Sequence, residues 1–508
     1  MFEALLKRFG YEKTRNFRRS GPGFGAAQVT RLTADFTTSE LSADSELRQD
    51  HKRLRARVRK LKNDYGYARK YVSMWRTNVL GENGINFRCK AKDPDKVVGG
   101  TLTPGKLDVF ANKAIEDAWW TWGKKQNCTV TRQLTWKDAQ DVIVEAIATD
   151  GECLIRKVRG FDNPFRFAVQ LIESDHLDVE LNKPLREGSE IRMGVEFNSW
   201  KEPVAYHLLK SHPNDNFYPS QAGQRYQRIP ASEIIHPFLR RRIGQSRGYP
   251  PMATALTQMN MLAKYQEAEL VAAREEACKG GWFKKTGETG YAGTPDAEGN
   301  LVDEVEPGVW KELPYGLEPV QNDPKHPNGN FGDFTKITLR EIAAGLEHLS
   351  YNTFGLDMES VNFASGKLGI EEERLGWKIL QMFVACHVCE PIFEPWLEST
   401  MLAGVITLPF SKFDKFNAPC WTGRRWQPID STKEVGAMIQ KLNAGLTSRS
   451  RCLAEEDVDR DELDQEIAED KASQERHGLQ FTETDPEPDP IELEEAKAKL
   501  RPAPAKAA

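Results

Sequence analysis

The chain is 508 residues long, with 39% hydrophobic and 29% charged residues, a globular balance that can bury a large core and divide into roughly two to four domains. No stretch is apolar enough for a membrane span, and eight scattered Cys make no disulfide framework; both points favour a reducing compartment over a membrane or a stapled secreted scaffold. The net charge of -5 is unevenly spread, with excess Lys and Arg in residues 1–76 and excess Asp and Glu in residues 453–508, which suggests polyanion or partner contacts.

The opening Met1 to Leu6 is too short and too soon charged for a signal peptide, so cytosolic synthesis is expected. Residues 1–38 read as a flexible basic arm, with the run Arg15 to Arg19 and the breaker Gly21 to Gly25. From Ser42 the spacing predicts a helix with Leu47, Leu54, Val58 and Leu61 on one side. Arg53, Arg55, Arg57, Arg59, Lys60 and Lys62 surround that stripe and read first as a solvated face. The pattern runs through Tyr67, Tyr71 and Trp75 to a stop at Gly81 to Gly84, and a short strand covers 85–90. A helix is expected over 108–122, its aromatics (Phe110, Trp119, Trp120, Trp122) taken as core, and another over 134–149. Strands at 153–158, 169–176, 191–197, 205–209 and 233–238 complete an α+β first half with a largely antiparallel sheet.

Arg247 to Pro251 opens the central stretch, and Met252 to Lys279 then runs without Pro or Gly to Gly280-Gly281. About 27 helical residues make a rod of roughly 40 Å. Met252, Leu256, Met259, Leu262, Gln266, Leu270 and Ala273 trace a mostly apolar stripe that asks for neighbouring helices, while Lys264, Glu267, Glu269, Arg274, Glu275 and Glu276 ask for water. Residues 282–330 are rich in Gly and Pro and read as a small β module with a strand at 309–313. A helix over 334–349 is expected to be capped by Asp333, residues 351–366 read as a polar loop, and 368–404 as a helix broken at Pro391 and Pro395. Helices at 431–442 and 448–477 precede a disordered acidic tail, 479–508.

Four motifs promise chemistry and fail on inspection. Gly100 to Leu107 approaches a phosphate loop, but Leu107 stands where a magnesium-binding hydroxyl is needed. Gly244-Gln-Ser246-Arg-Gly248 has nucleophile-elbow spacing, yet Arg240 to Arg242 and Pro250-Pro251 spoil the strand-turn-helix context. Cys386-His-Val-Cys389 lacks a second ligand pair, and Glu233-Ile-Ile-His236 lacks the second His of a zincin, so buried thiols and a structural His are expected. No catalytic residue, metal or cofactor is therefore expected.

Several stretches resemble, in order along the chain, the portal (head-to-tail connector) proteins of lambda-like tailed bacteriophages. They include Asn63 to Tyr67 with Asn78 to Gly81, Asp150-Gly-Glu152, Ile172 to Leu177, Ile229 to His236 and Gly244 to Pro250. Further on come Tyr265 to Arg274, Asn362 to Ser365, Trp421 to Glu434 and Gly445 to Arg449. The run Asn362 to Lys367 departs from the Tyr-Ser-Ser-Ala-Arg type common in the family.

The resemblance implies a mixed α+β, helix-rich portal-type fold: a wing (39–246), a first stem helix (247–281), a small α/β clip (282–330), a second stem helix (331–350), a tunnel loop (351–366), a long helix and wing return (367–430) and a helical crown (431–478). It implies a homo-oligomeric ring, usually of twelve subunits, at one capsid vertex of the virion, assembled in the host cytoplasm. Double-stranded DNA would pass through it without sequence reading; the partners would be the terminase large subunit, major capsid and scaffold proteins and the head-tail connector, with no membrane. On this reading Asn352, Asn362, Ser365 and Lys367 face DNA; Glu267, Glu269, Arg274, Glu275 and Glu276 line the channel; and Trp282, Phe283 and Trp310 meet partners. The alternative is a non-ring nucleic-acid-binding protein using the basic helix 53–62.

Overall fold

The computed structural model of the protein describes residues 31, 40–94, 96–98, 101–103, 105–215, 225–277, 281–285, 317–321, 329–359, 362–426, 431–455 and 460–478. The expected N-terminal arm apart from Arg31, the strand at 309–313 and the acidic tail lie outside these residues. The fold is mixed α+β and helix-rich, and the chain divides into two compact units, Met1–Arg424 and Arg425–Ala508.

In the first unit, α1 (Ala43–Asp64) starts where the Ser42 hydroxyl accepts from Ser45 N, and it buries Leu47, Val58 and Leu61. α2 (Gly66–Trp75) runs into a π turn, Arg76–Leu80, ended by Gly81. β1 (Asn86–Cys89) pairs antiparallel with the distant β14 (Pro419–Thr422). β2 (Lys96–Val98) and β3 (Thr101–Thr103) form an antiparallel hairpin where the phosphate-loop-like motif begins. α3 (Val109–Trp122) is capped by Asp108, and α4 (Trp136–Asp150) by a reciprocal Thr135–Asp138 box.

Aromatic packing ties these helices to the chain's later half. The Trp119 ring lies 4.7 Å from Trp122, 4.8 Å from Trp396 and 5.3 Å from Phe87. The expectation that all four aromatics of α3 are core holds for Trp119 and Trp122 only. Phe110 is 75% and Trp120 67% exposed, because they lie on the helix face turned away from that cluster.

The strands form two main antiparallel sheets rather than one. β4 (Leu154–Arg159) sits between β5 (Phe167–Ile172) and β11 (Ile234–Ile235). A five-stranded meander, β6 (Lys183–Pro184), β7 (Glu190–Arg192), β8 (Val195–Phe197), β9 (Pro203–Leu209) and β10 (Tyr226–Pro230), makes the other. The stretch 191–197 is thus two strands, folded back at Met193-Gly194, where both residues take positive φ. Leu154, Leu177, Val195, Tyr206, Leu208 and Ile229 form the core between the sheets.

A buried charge cluster closes this core. Arg247, fully buried, donates to both oxygens of the fully buried Glu152 and to the carbonyls of Leu177, Met193 and Ser174. Glu152 also accepts from Gly248 N at 2.8 Å and from His236 Nε2 at 2.9 Å. His51 Nε2 donates to Gly248 O at 2.8 Å and lies 3.5 Å from Glu152. Ser246 is equally committed, its hydroxyl donating to Asp44 Oδ2 at 2.7 Å and its amide to Asp44 Oδ1 at 2.8 Å. The elbow-like motif therefore fastens α1 and the sheets to the root of the next helix. A side chain at Gly151 would meet the Tyr249 backbone at 2.1 Å, and one at Gly248 would meet Gly151 O at 2.3 Å, so these two segments touch backbone to backbone.

Beyond this cluster the Pro251–Thr254 3₁₀ turn delays the rod, and α5 covers Leu256–Ala277. β12 (Gly281–Lys285) pairs antiparallel with β13 (Leu317–Gln321). α6 (Phe331–Gly345) begins at Asn330, so Asp333 lies in its first turn instead of capping it. The expected loop at 351–366 contains a short helix, α7 (Tyr351–Gly355), and the start of α8 (Phe363–Val384). The breaks expected at Pro391 and Pro395 fall earlier, at a π turn, Ala385–Cys389; Pro391 then sits in the first turn of α9 (Glu390–Leu402), where no helical N–H is needed, and Pro395 lies within it. Cys389 is buried and Cys386 exposed, so only one of the two expected buried thiols is buried. A single turn, α10 (Phe413–Phe416), leads into β14. In the second unit, α11 (Ser431–Asn443) is followed by α12 (Arg449–Glu455) and α13 (Arg460–His477), two helices where one was expected, joined by an Arg449–Asp464 ion pair at 2.7 Å.

The cluster makes stability pH-dependent. Burial pushes the Glu152 carboxyl up, but Arg247 and the hydrogen bonds from His236 and His51 more than offset this and hold it well below the usual range. Burial is also the largest influence on His51 and His236 and lowers both. The unfolded histidines bind protons near pH 6.5 while the folded ones do not, so stability falls as pH drops below about 6.5. The Glu152 contribution is kept above about pH 4.3 and is lost as pH falls through its depressed folded value. Urea unfolding is expected to show a midpoint falling between pH 7 and 5, with a shallower slope in His236→Gln. Glu152→Ala, which leaves Arg247 buried and unpaired, is expected to cost about 3–5 kcal/mol at pH 7.

Candidate functional site

α5 and α6 run antiparallel from a common root. Gly345 approaches Ala255 so closely that a side chain there would meet Ala255 Cβ at 3.4 Å. Gln258 Nε2 donates to Glu341 Oε1 at 3.3 Å, and Tyr265 stacks against Phe331 and Phe334 with ring centres 5.6 and 5.4 Å apart. The stripe read from the sequence is buried at the root only, through Met252, Leu256, Met259 and Leu262. Farther out, Leu270 and Val271 on α5 and Phe334 and Ile337 on α6 are exposed. A pair of helices apolar on faces that the described residues of its own chain do not cover is suited to packing beside further helices.

The connector after α6 is held at both sides. Glu347 and His348 both take left-handed φ, at 53°, making a sharp reversal. Lys70 of α2 donates to the carbonyls of Thr353 and Phe354, closing the end of α7, and Tyr71 Oη donates to Leu346 O at 3.3 Å. Burial lowers the Lys70 ammonium pKa, with Glu373 opposing. On the other side Glu373 of α8 accepts from Ser350 N at 3.3 Å and from Trp377 Nε1 at 3.1 Å. Tyr351 donates to Asp357 at 2.8 Å and lies under the Arg340 guanidinium at 4.9 Å. These anchors carried no sequence signal, since Lys70 meets a carbonyl 283 residues away.

The expected DNA-facing residues divide. Asn362 and Ser365 are exposed but bonded to each other as the N-cap of α8, Asn362 Oδ1 accepting from Ser365 N at 2.8 Å and Ser365 Oγ at 2.9 Å. Lys367 lies 3.7 Å from Glu371, and Asn352 is half-buried in α7. Of the expected channel residues, Glu267 and Arg274 are exposed and Glu269 is half-buried. The side chains of Glu275, Glu276, Trp282 and Phe283 lie outside the described residues, as does Trp310 altogether.

Half of the basic helix's cations are paired within its own chain, while Arg53, Arg57 and Lys60 are exposed. Arg55 pairs with Asp175 at 2.7 Å, Arg59 with Asp150 and Asp175 at 2.6 Å each, and Lys62 with Glu145 at 2.5 Å. Burial alone would raise Asp175, but Arg55 and Arg59 outweigh it and keep the carboxyl below its ordinary value. Glu173, Asp175 and His212 converge within 4.8 Å, yet both Asp175 oxygens already accept from arginines, which makes a poor metal site. No helix among the described residues is long and apolar enough to cross a membrane.

This chain belongs to the lambda family of phage portal proteins, whose model matches residues 29–381, from before α1 into α8. It is similar to the "Probable portal protein" of Halomonas phage phiHAP-1, at 34% identity over 463 residues, covering 90% of this chain and 87% of that one. It is also similar to "Portal protein B" of Escherichia phage lambda, at 22% identity over 485 residues, covering 88% and 87%. Among solved structures, the neck of a native GTA particle computed with C12 symmetry aligns at 13% identity and a TM-score of 0.44, over 80% of this chain and 94% of that one.

Lys70→Met is expected to raise amide exchange across residues 351–356 by about tenfold while leaving α4 protected, read by hydrogen-exchange mass spectrometry. Asn362→Ala is expected to destabilise the start of α8 by about 1 kcal/mol.

Proposed function

We propose that the chain is the repeating subunit of a ring, twelve copies around, at one vertex of a tailed-phage head, through which DNA enters on packaging and leaves on ejection. The observation that carries this is membership of the portal family, across a match that includes the α5–α6 pair and its connector. The exposed apolar residues on the outer halves of α5 and α6 support packing beside neighbouring copies.

In this reading α5 and α6 line the channel, the connector from Ser350 to Lys367 lies nearest the DNA, and β12 with β13 belong to the clip, the part that meets the terminase large subunit and later the head-tail connector. Major capsid and scaffold proteins surround the ring, which assembles in the host cytoplasm and ends in the virion. Contacts with duplex DNA are non-specific and weak. Each phosphate held by Lys or Arg releases counterions and tightens binding, whereas a conduit must let DNA slide. Glu267 on α5, and the cap that engages Asn362 and Ser365, suit such a surface. The basic-helix reading is weaker because Arg55, Arg59 and Lys62 already have carboxylate partners.

Native mass spectrometry of the purified protein with negative-stain imaging is expected to show a closed assembly near twelve copies with a central hole. A stable monomer whose tight duplex binding disappears with Arg53→Ala and Arg57→Ala would overturn the reading. Lys367→Glu is expected to leave the ring intact and to change the amount of DNA packaged or retained; loss of the ring instead would remove the connector from the channel.

A further inference from the structure

The tip of the connector is held by charge and not by burial. Leu356 and Met358, its apolar side chains, are 73% and 58% exposed, and Leu356 takes left-handed φ at 57°. A bulky residue is disfavoured in that conformation, so other contacts must hold the backbone there. The structure shows which. Lys336 of α6 lies 2.9 Å from Glu359 Oε2 and 3.4 Å from Asp357 Oδ2. Asp357 Oδ1 accepts from Glu359 N at 3.2 Å, and Asp357 Oδ2 accepts from Tyr351 Oη. The Tyr351 ring lies under Arg340, one turn after Lys336 on α6. The network thus straps the tip, 356–359, to one face of α6.

This strap is of a kind that an outside anion can displace. Lys336 is 40% and Glu359 80% exposed, and ion pairs so exposed are weak and screened by salt. A lysine ammonium is a compact charge that pairs with phosphate or with carboxylate. Duplex DNA carries one negative charge per ~1.7 Å of its axis. A duplex beside α6 therefore offers phosphates to Lys336 and repels Asp357 and Glu359 at the same time. Lys70, on the other side of the connector, differs in kind. Its acceptors are the carbonyls of Thr353 and Phe354, neutral groups that a nearby duplex does not repel.

We propose that Lys336 is shared between the connector tip and DNA. With the channel empty it holds Asp357 and Glu359; with DNA present it binds phosphate and releases the tip. Lys70 keeps α7 in place, so the part released is 356–359. The inference deepens the conduit reading and rests on α6 lining the channel.

Hydrogen-exchange mass spectrometry on the full-length protein tests it, read on peptides covering 356–359, where Glu359 N is held by Asp357. Without DNA, raising salt from about 0.1 to about 1 M shortens the screening length from about 10 to about 3 Å and is expected to speed exchange there about fivefold. Lys336→Met is expected to exchange at the faster rate in both salts, and Lys336→Arg to behave as wild type. Wild-type exchange that ignores salt and equals that of Lys336→Met would remove the strap and overturn the proposal. Inside heads, the wild-type tip is expected to exchange about fivefold faster when the heads are filled with DNA than when they are empty, with Lys336→Met fast in both. Exchange equal in the two kinds of head, or slower in the filled ones, would also overturn it. Wild-type protein that forms no ring defeats the conduit reading and this inference with it, whereas a ring whose strap responds to salt and not to DNA defeats the inference alone.

Discussion

The buried pair of Glu152 and Arg247 is the joint on which the first unit depends. Arg247 reaches three carbonyls on two separate segments, the Ser174–Leu177 turn and Met193, while its carboxylate partner also holds Gly248 N and His236. Such a charge pair is retained at the cost of dehydrating both ions, and that cost is offset only when every donor and acceptor is matched. Here they are, and the result is geometric: the segment from Ser246 to Pro251 is fixed against α1 and both sheets before α5 starts. The direction of the rod is therefore set by the cluster, while its own propensity supplies only its straightness.

That anchoring explains the uneven burial of the helix pair. The root of α5 sits in the core, with Met252 and Met259 wholly buried, and the outer half has no cover from the described part of the chain. The arginines of α1 show the complementary pattern, since much of their charge is spent on Asp150 and Asp175 inside the fold. Basic composition near one end of a sequence thus translates only in part into a basic surface, since Arg53, Arg57 and Lys60 remain exposed while Arg55 and Arg59 turn inward to carboxylates. In the proposed conduit, inward pairing of Arg55 and Arg59 lowers the number of cations that could grip DNA.

What was legible in the sequence was local. Period and start signals placed α1, α3, α4 and α5 within a few residues, because an amphipathic stripe and a local start signal act over one or two turns, whereas the start of α8 fell inside the stretch read as a loop. The turn at Asp150-Gly151 was legible for the same reason. Contacts between distant segments were not. The Lys70 anchor on α7, the split of the strands into two sheets and the exposure of Phe110 and Trp120 all depend on which face meets which neighbour. Asn362 and Ser365 were singled out correctly as polar, yet their first task is to cap α8, a distinction invisible without knowing where that helix starts. His236 was read as structural and is held by Glu152, but nothing in the sequence pointed to Glu152 as the centre of the cluster.

Cross-linking between DNA and protein inside filled heads addresses the conduit most directly. DNA carrying photoreactive bases would be packaged, irradiated and digested, and the adducts located by peptide mass spectrometry. The account predicts adducts on residues 256–277 and 329–367, with none on Arg53, Arg57 or Lys60 of α1. Adducts confined to α1, with the α5–α6 pair and its connector unlabelled, would contradict it.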